Sequence, residues 1–539
     1  VSTIESSYWP VDDNDVILPT TVGSVLRDAA AEAPDVIALV DGTHSDGLRW
    51  TYAELLADAA RGARALLTRF EPGERIAVWG PNTPEWLRIE LAAGLAGLVI
   101  VTVNPALRTE EARHVLARSS SSGAFAVAEF RDLRPLTIAG ELQSVLPNLR
   151  VVWDLGNWDA FIEAGNDESI VLPEVTPDDT AQIQFTSGTT GQPKGALLHH
   201  RGITNIARLT KEQSGLPVGG VWVNPMPLFH TAGCVIGALG PIAMRGTHVL
   251  TQFDPALVLE LIEREGAYGV TAVPTMLLRM IEHPDFHRRD VSSLQAVLTG
   301  ATAVPAKLIT QIETDLSCLA ANIYGMTEVS AVSAMTRLTD TAEDKSATVG
   351  RALPGTAIKI ADATTGEVVP VGIEGELCSR GYSNMLGYVD DPESTAKTID
   401  SDGWLHSGDL ARMDERGYIA ITGRLKDMII RGGENIYPQE IENYLVRRDD
   451  VSEACVVGVP HPVHGEVAVA VIRAADIHTP PAPTDLDSYV REGLARHKWP
   501  SDWYFVDAFP VTDNGKVKKL EVKKMVHDGV LHKAQKVSG

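Results

Sequence analysis

The chain has 539 residues, more than one hydrophobic core usually organises, so two or more domains are expected. Asp and Glu number 71 against 47 Lys and Arg, a formal net charge of −24 that argues against non-specific binding to nucleic acid or an anionic membrane. A phosphate site in such a chain must be made positive locally, against the field of the whole molecule.

The opening residues, Val1 to Pro10, show neither the basic region nor the apolar core of a secretion signal. Apolar spacing then predicts a helix over 22–33 and a strand over 36–40, with Trp50-Thr51-Tyr52 as a short strand. Leu55, Leu56, Ala59, Ala63, Leu66 and Leu67 recur at helical spacing within 52–70. A buried strand over 75–79, a helix over 85–97, a strand over 98–103 and a helix over 109–119 follow. Strands alternating with helices imply parallel sheets covered on both faces. The longest apolar run, Leu91 to Val103, is too short to span a bilayer. Cys234, Cys318, Cys378 and Cys455 are scattered without a C-x-x-C pair, so buried thiols in a cytoplasmic protein are expected rather than a zinc site or disulfides.

The β-like run Ala181 to Phe185 leads into Thr186-Ser187-Gly188-Thr189-Thr190-Gly191-Gln192-Pro193-Lys194-Gly195. Glycines let backbone N–H groups close on an anion, and hydroxyls and a lysine add donors and charge. This reads as a phosphate loop, although G-x-x-x-x-G-K-[ST] does not fit. A Ser/Thr/Gly linker is the alternative. Pro225 to Gly233 is expected to be an irregular loop bearing His230, which by itself could be a purely structural histidine. Helices over 257–265 and 276–283 flank a strand over 269–273, and Ala296-Val297-Leu298 runs into Thr299-Gly300-Ala301.

Asn322-Ile323-Tyr324-Gly325-Met326-Thr327-Glu328 joins an amide, an aromatic face, a hydroxyl and a carboxylate. The amide can read an adenine edge and the ring can stack on the base. Thr327 can bond an α-phosphate oxygen, and Glu328 can hold a magnesium ion, which prefers oxygen ligands. An ordinary turn before a capped helix is the alternative. Asp409 is a carboxylate suited to both ribose hydroxyls. Strands are expected from Gly375, over 418–421 and over 428–430, with a domain boundary at Gly423-Arg424-Leu425-Lys426-Asp427. Beyond it lie a helix over 439–447 opened by Pro438, strands over 454–459 and 467–472, a helix over 486–497 and a strand over 505–507. Asn514-Gly515-Lys516 begins a basic run that spacing alone cannot distinguish from a solvated tail.

The decapeptide from Thr186, together with Tyr324 to Glu328, Gly403 to Asp409, Gly423 to Asp427 and Asn514 to Lys516, resembles in order and spacing the adenylate-forming enzymes. These include acyl-CoA synthetases, stand-alone adenylation domains and beetle luciferases. The pattern is most similar to fatty-acid or medium-chain acyl-CoA ligases. The resemblance implies an α/β fold: a large N-terminal domain of several subdomains with parallel-rich sheets, residues 1–425, and a small mobile α+β domain, residues 426–539. It implies ATP, Mg2+ and coenzyme A as cofactors and a small carboxylic acid as substrate. By the same resemblance, Thr186, Ser187, Gly188, Thr189, Thr190, Gly191 and Lys194 hold the pyrophosphate. Gly300, Ala301, Asn322, Tyr324, Asp409 and Arg424 surround the nucleotide, Thr327 and Glu328 serve the α-phosphate and magnesium, and His230 lies against the carboxylate. Lys516 bridges carboxylate and phosphate oxygens, Lys426 is the hinge, and Gly433 lies beside the coenzyme A channel.

Ala232, Gly233, Gly300, Gly325, Ala331 and Val332 are the pocket lining that the resemblance implies, small and apolar. Amino-acid-activating relatives carry an aspartate near His230. Here Phe229-His230-Thr231-Ala232-Gly233 has none, and a buried ammonium without a counter-charge is costly. The expected reaction is therefore ATP-dependent activation of an apolar acid through an acyl-adenylate, followed by transfer to coenzyme A. Transfer to a carrier protein is the alternative, and a non-catalytic nucleotide-binding relative is a third reading.

Overall fold

The computed structural model describes residues 4–12, 17–44, 47–186, 193–302, 304–431, 434–511, 517–531 and 533. The chain forms two compact units, Trp9–Ile358 with Cys378–His406, and Val1–Tyr8 with Lys359–Leu377 and Ser407–Gly539. The larger unit contains two sheets. In the seven-stranded sheet the order is Gly387–Tyr388, Lys194–His199, Thr180–Thr186, Val99–Val103, Arg75–Trp79, Gly123–Ala126 and Val151–Asp154. Its centre is parallel, and the strand Lys194–His199 turns antiparallel to close one side. The nine-stranded sheet runs parallel from Leu319–Tyr324 through Ala296–Gly300, Gly269–Thr271, Val221–Asn224 and Thr247–Leu250 to Ile37–Asp41, with antiparallel strands at both edges.

Strand side chains alternate between faces, and here both faces are apolar. Ile76 and Val78 join one core with Leu39, Trp222, Leu250, Ala296 and Leu298 of the other sheet, whereas Ala77 and Trp79 face a second core. Val40, Val223, Val249 and Val297 face a third, under the helices Pro255–Glu265, Pro274–Ile281 and Ala306–Asp315. The shared core holds the helices Val22–Glu32, Tyr52–Leu67 and Pro84–Ala96 between the two sheets. Pro84–Ala96 accordingly has almost no polar face: nearly every residue is buried, Glu90 included.

In the smaller unit the antiparallel hairpin Leu405–Met413/Ile419–Arg424 sets Asp409 opposite Arg424. The long pair Val451–His461/Gly465–Ala474 carries Val456, Ala468, Ala470 and Ile472 on one face and Cys455, Val457, Val469 and Val471 on the other. Helices Pro438–Leu445 and Pro483–Gly493 cover the first face, and Lys519–His527 the second. The residue pair 425/426 falls inside this unit, because the hairpin packs with residues that follow it: a Cβ on Gly423 would lie 3.3 Å from Tyr437. Two elements near the C-terminal end of the chain are displaced from expectation. The helix expected over 486–497 spans Pro483–Gly493, because Pro483 opens it and Leu494 is extended. The last strand is Asp502–Phe505, in parallel register with Val469 to Ile472, and it ends two residues before Asp507, where the expected strand stops.

His200 opens the helix His200–Gln213, and its Nδ1 accepts the Val22 N–H at 3.2 Å. It is 1% exposed, and burial pushes its imidazole down to about 4. A histidine kept neutral in the fold stabilises it fully above its unfolded pKa near 6.5 and loses that contribution as pH falls toward 4. Urea unfolding should therefore show wild-type stability falling by up to about 3 kcal/mol more than that of His200→Asn between pH 6.5 and 4. Parallel pH profiles for the two proteins would contradict this.

Candidate functional site

In the larger unit, Thr186 ends one strand and Lys194 begins its antiparallel neighbour, the two facing each other in register. The segment expected to be a phosphate loop therefore connects paired strands, and Ser187, Gly188, Thr189, Thr190 and Gly191 lie outside the described residues. The Lys194 ammonium donates to Ser394 Oγ at 2.8 Å and stands 5.2 Å from the centre of the Tyr388 ring. Ser394 is held in the first turn of Pro392–Thr398, where its N–H donates to Asp391.

The phenol of Tyr388 donates to Glu328 Oε1 at 2.8 Å, and the Glu328 carbonyl accepts the Met385 N–H. Burial, then the Glu328 charge, pushes the Tyr388 hydroxyl above its usual range, so it remains a donor. Glu328 is 6% exposed within the turn Thr327–Val329, immediately beyond the strand Leu319–Tyr324. Tyr324 and Thr327 are half-buried. The chain returns at once, Ser333 N–H bonding to the Tyr324 carbonyl, which sets Ala331 and Val332 against Gly325. A Cβ on Gly325 would lie 2.0 Å from the Ala331 carbonyl oxygen. Asn322 is engaged differently from the sequence expectation: its amide nitrogen donates to the carbonyls of Lys345 and Thr348, bracing the strand, and these donors are not available to an adenine edge. Gly300 ends the neighbouring strand, and Ala301 follows in the left-handed region at φ 67°, where a non-glycine residue is strained.

The segment expected to be an irregular loop through Gly233 becomes helical at Ala232. Ala232–Leu239 is a wide π-helix, closed by Gly240 N–H donating to the Val235 carbonyl five residues back. Such turns are rare and cluster at functional sites. A Cβ on Gly233 would lie 2.0 Å from the Pro227 carbonyl oxygen, so only glycine permits this entry. His230 is half-buried, its ring 4.5 Å from that of Phe229.

In the smaller unit, Arg424 Nε pairs with Asp409 Oδ1 at 3.0 Å. Asp409 is largely shielded and Arg424 half-exposed, a setting in which an ion pair contributes little and is readily re-formed around a ligand. Ser407 Oγ accepts the Asp409 N–H, and Gly408 N–H donates to Glu376, fixing the carboxylate on its strand. Lys426 is exposed in the single turn Leu425–Asp427. Gly433 and Lys516 lie outside the described residues.

The family of AMP-binding enzymes matches residues 26–389, and the C-terminal domain of AMP-binding enzymes matches residues 440–516. This chain belongs to the AMP-binding enzymes. The mitochondrial medium-chain acyl-CoA ligase ACSF2 of Danio rerio is 34% identical over 97% of this chain and 91% of its own length. A 7a-methyl-1,5-dioxo-octahydro-1H-inden-4-yl propanoyl:CoA ligase of Rhodococcus jostii is 36% identical over 93% of this chain and 98% of its own. ATP-bound MatB from Rhodopseudomonas palustris superposes with a TM-score of 0.84, 27% identical, covering 94% of this chain and 99% of that one. MenE from Bacillus subtilis, in complex with its acyl-adenylate intermediate, gives 0.81 at 26% identity over 94% and 98%. The protein is an AMP-forming acid–CoA ligase of α/β fold with a separate C-terminal domain. Among the described residues no helix is long and apolar enough to cross a membrane, and all four cysteines of the ligase are free and buried.

Sequence reasoning missed Tyr388 and Ser394. Both reach the site only through the pairing of Tyr388 with Ala196 and the helix that follows, which no local motif signals. Adding a methyl group at Gly325 drives it into backbone, so Gly325→Ala should lower unfolding free energy by about 2 kcal/mol and cut ATP–pyrophosphate exchange at least about tenfold. Wild-type exchange in that variant would show that the turn tolerates displacement.

Proposed function

We propose that the ligase activates monocarboxylic acids with apolar bodies, fatty or related acids, and passes the acyl group to coenzyme A. The observation that carries this reading is the π-helix after His230: seven of its eight residues are buried, and none of its side chains is charged. Glu90, which reaches Cys234 through Gln182, offers no counter-charge to an α-ammonium, because burial holds its carboxyl well above the usual carboxylate range. Relatives named for medium-chain acyl groups and for a fused-ring propanoate support an apolar acid without fixing its shape.

The acid's carboxylate attacks the α-phosphorus of ATP, pyrophosphate leaves, and an acyl-adenylate forms. Little covalent work falls to the protein; it positions the reactants and stabilises charge. We assign the loop from Thr186 to Lys194 to the leaving pyrophosphate, Tyr324 to the base, Asp409 with Arg424 to the ribose, and Thr327 to the α-phosphate. His230, Ala232, Gly233, Gly300, Gly325, Ala331 and Val332 surround the acid. Glu328 is a buried oxygen donor, and its carboxylate fits a magnesium ion, which would neutralise charge on the phosphates when bound. Lys516 supplies a compact positive charge to the attacking carboxylate and phosphate oxygens. The thiol of coenzyme A then attacks the acyl carbonyl and AMP leaves. We place the hinge between the two steps at Lys426, with Gly433 entering beside the thiol, a domain closure of a common kind. We place the reaction in the cytoplasm.

The reading is tested by ATP–pyrophosphate exchange over fatty, branched, aromatic and amino acids. Medium-chain or ring-bearing apolar acids should support exchange, and leucine should not. Comparable rates with leucine and a medium-chain acid would overturn it.

A further inference from the structure

Gln182 and Gln184 alternate with Ile183 and so share one strand face, which looks toward the otherwise apolar core between the two sheets. Both are 1% exposed. Buried amides without partners are costly; the partners these two have lie in other side chains, and Gln184 Oε1 has none among the described residues. Gln182 donates to Glu90, itself 2% exposed, and its Oε1 accepts from Gln184 Nε2 at 2.9 Å. Gln184 Nε2 also reaches Cys234 Sγ at 3.2 Å. Cys234 lies in the first turn of the π-helix, fully buried, and its Sγ is 3.2 Å from the His230 carbonyl oxygen. That one oxygen also accepts the N–H groups of Gly233 and Cys234, at 2.9 and 3.0 Å. Burial keeps Cys234 a thiol, and therefore a donor.

The strand bearing Gln184 ends two residues later at Thr186, where the phosphate loop begins. The loop bearing His230 and the strand feeding the phosphate loop are thus joined through a chain of polar contacts in an apolar core. We propose that Cys234 and Gln184 are positioning residues for acyl-adenylate formation, setting the acid-binding loop at a fixed distance from the phosphate loop; this rests on the acid-activating function proposed above. Neither residue touches the reacting atoms. They act through the His230 carbonyl, and a shift there misaligns carboxylate and α-phosphorus, which costs rate steeply. Thioester formation starts from an acid already joined to AMP, so it does not depend on that alignment.

The test separates the half-reactions. Cys234→Ala should lower single-turnover adenylate formation from acid and ATP about tenfold, the loss of one to two hydrogen bonds. Conversion of chemically prepared acyl-adenylate and coenzyme A to thioester should stay within about twofold of wild type, a loss too small to match one hydrogen bond. Cys234→Ser, which keeps a donor and an acceptor, should recover most of the lost rate. Should Cys234→Ala fail to fold, Gln184→Met, of similar volume without the amide, is expected to show the same split. Wild-type adenylation in a folded variant, or equal loss of both half-reactions, would overturn the proposal. Failure of the underlying acid activation is distinguishable, since the wild-type enzyme would then show no exchange with any acid.

Discussion

The lysine and the carboxylate that we assign to one nucleotide must be kept from serving each other. At about 4 Å and an effective dielectric near 20, a direct pair between Lys194 and Glu328 would gain roughly 4 kcal/mol, which a phosphate or a metal ion would then have to displace. Tyr388 occupies the space between them. Its ring faces the ammonium, its hydroxyl bonds the carboxylate, and Ser394 takes the ammonium's hydrogen bond. That arrangement depends on a short strand, Gly387–Tyr388, pairing antiparallel with Leu197 and Ala196. The antiparallel edge of an otherwise parallel sheet therefore holds the Lys194 ammonium and the Glu328 carboxylate apart.

Around the π-helix that we assign to the acid, the same logic appears as charge suppressed. Burial pushes the Glu90 carboxyl well above its usual range and Lys211 well below its own, and burial and then Lys211 take His248 down to about 3. Asn224 bonds both His248 and the Gly233 carbonyl, and Lys211 lies over the Trp222 ring. Titratable groups thus flank the π-helix without placing charge there. An apolar acyl body lying along this helix would meet none of its side chains charged.

Much of this was legible from the residues. Runs such as Arg75 to Trp79, apolar on both faces, can only be strands covered on both sides. Glycine, hydroxyl and lysine after such a strand mark an anion loop wherever the rest of the chain goes. The π-helix was not legible, because the segment up to Gly233 read as an irregular loop and Gly237 carried no local signal. Their reason is tertiary: a Cβ would strike the Pro227 carbonyl at one and the Asn224 side chain at the other. Asn322 has partners that the local sequence does not signal. Its type suits a base edge, but the distant carbonyls of Lys345 and Thr348 take its donors. Tyr388 and Glu328 are sixty positions apart, and only strand pairing brings them together. Gln182 and Gln184 could have been noticed as polar residues on a face that should be apolar, although their partners could not be named.

The half-reactions of Lys516→Ala provide the most direct measurement of whether one chain performs two steps with different residues. Removing a preorganised positive charge from the attacking carboxylate should lower adenylate formation from acid and ATP by on the order of a hundredfold or more. The same variant should turn acyl-adenylate and coenzyme A into thioester at close to the wild-type rate. Normal adenylate formation would return Lys516 to a solvated basic tail, and equal loss of both steps in a folded protein would contradict the division of labour between them.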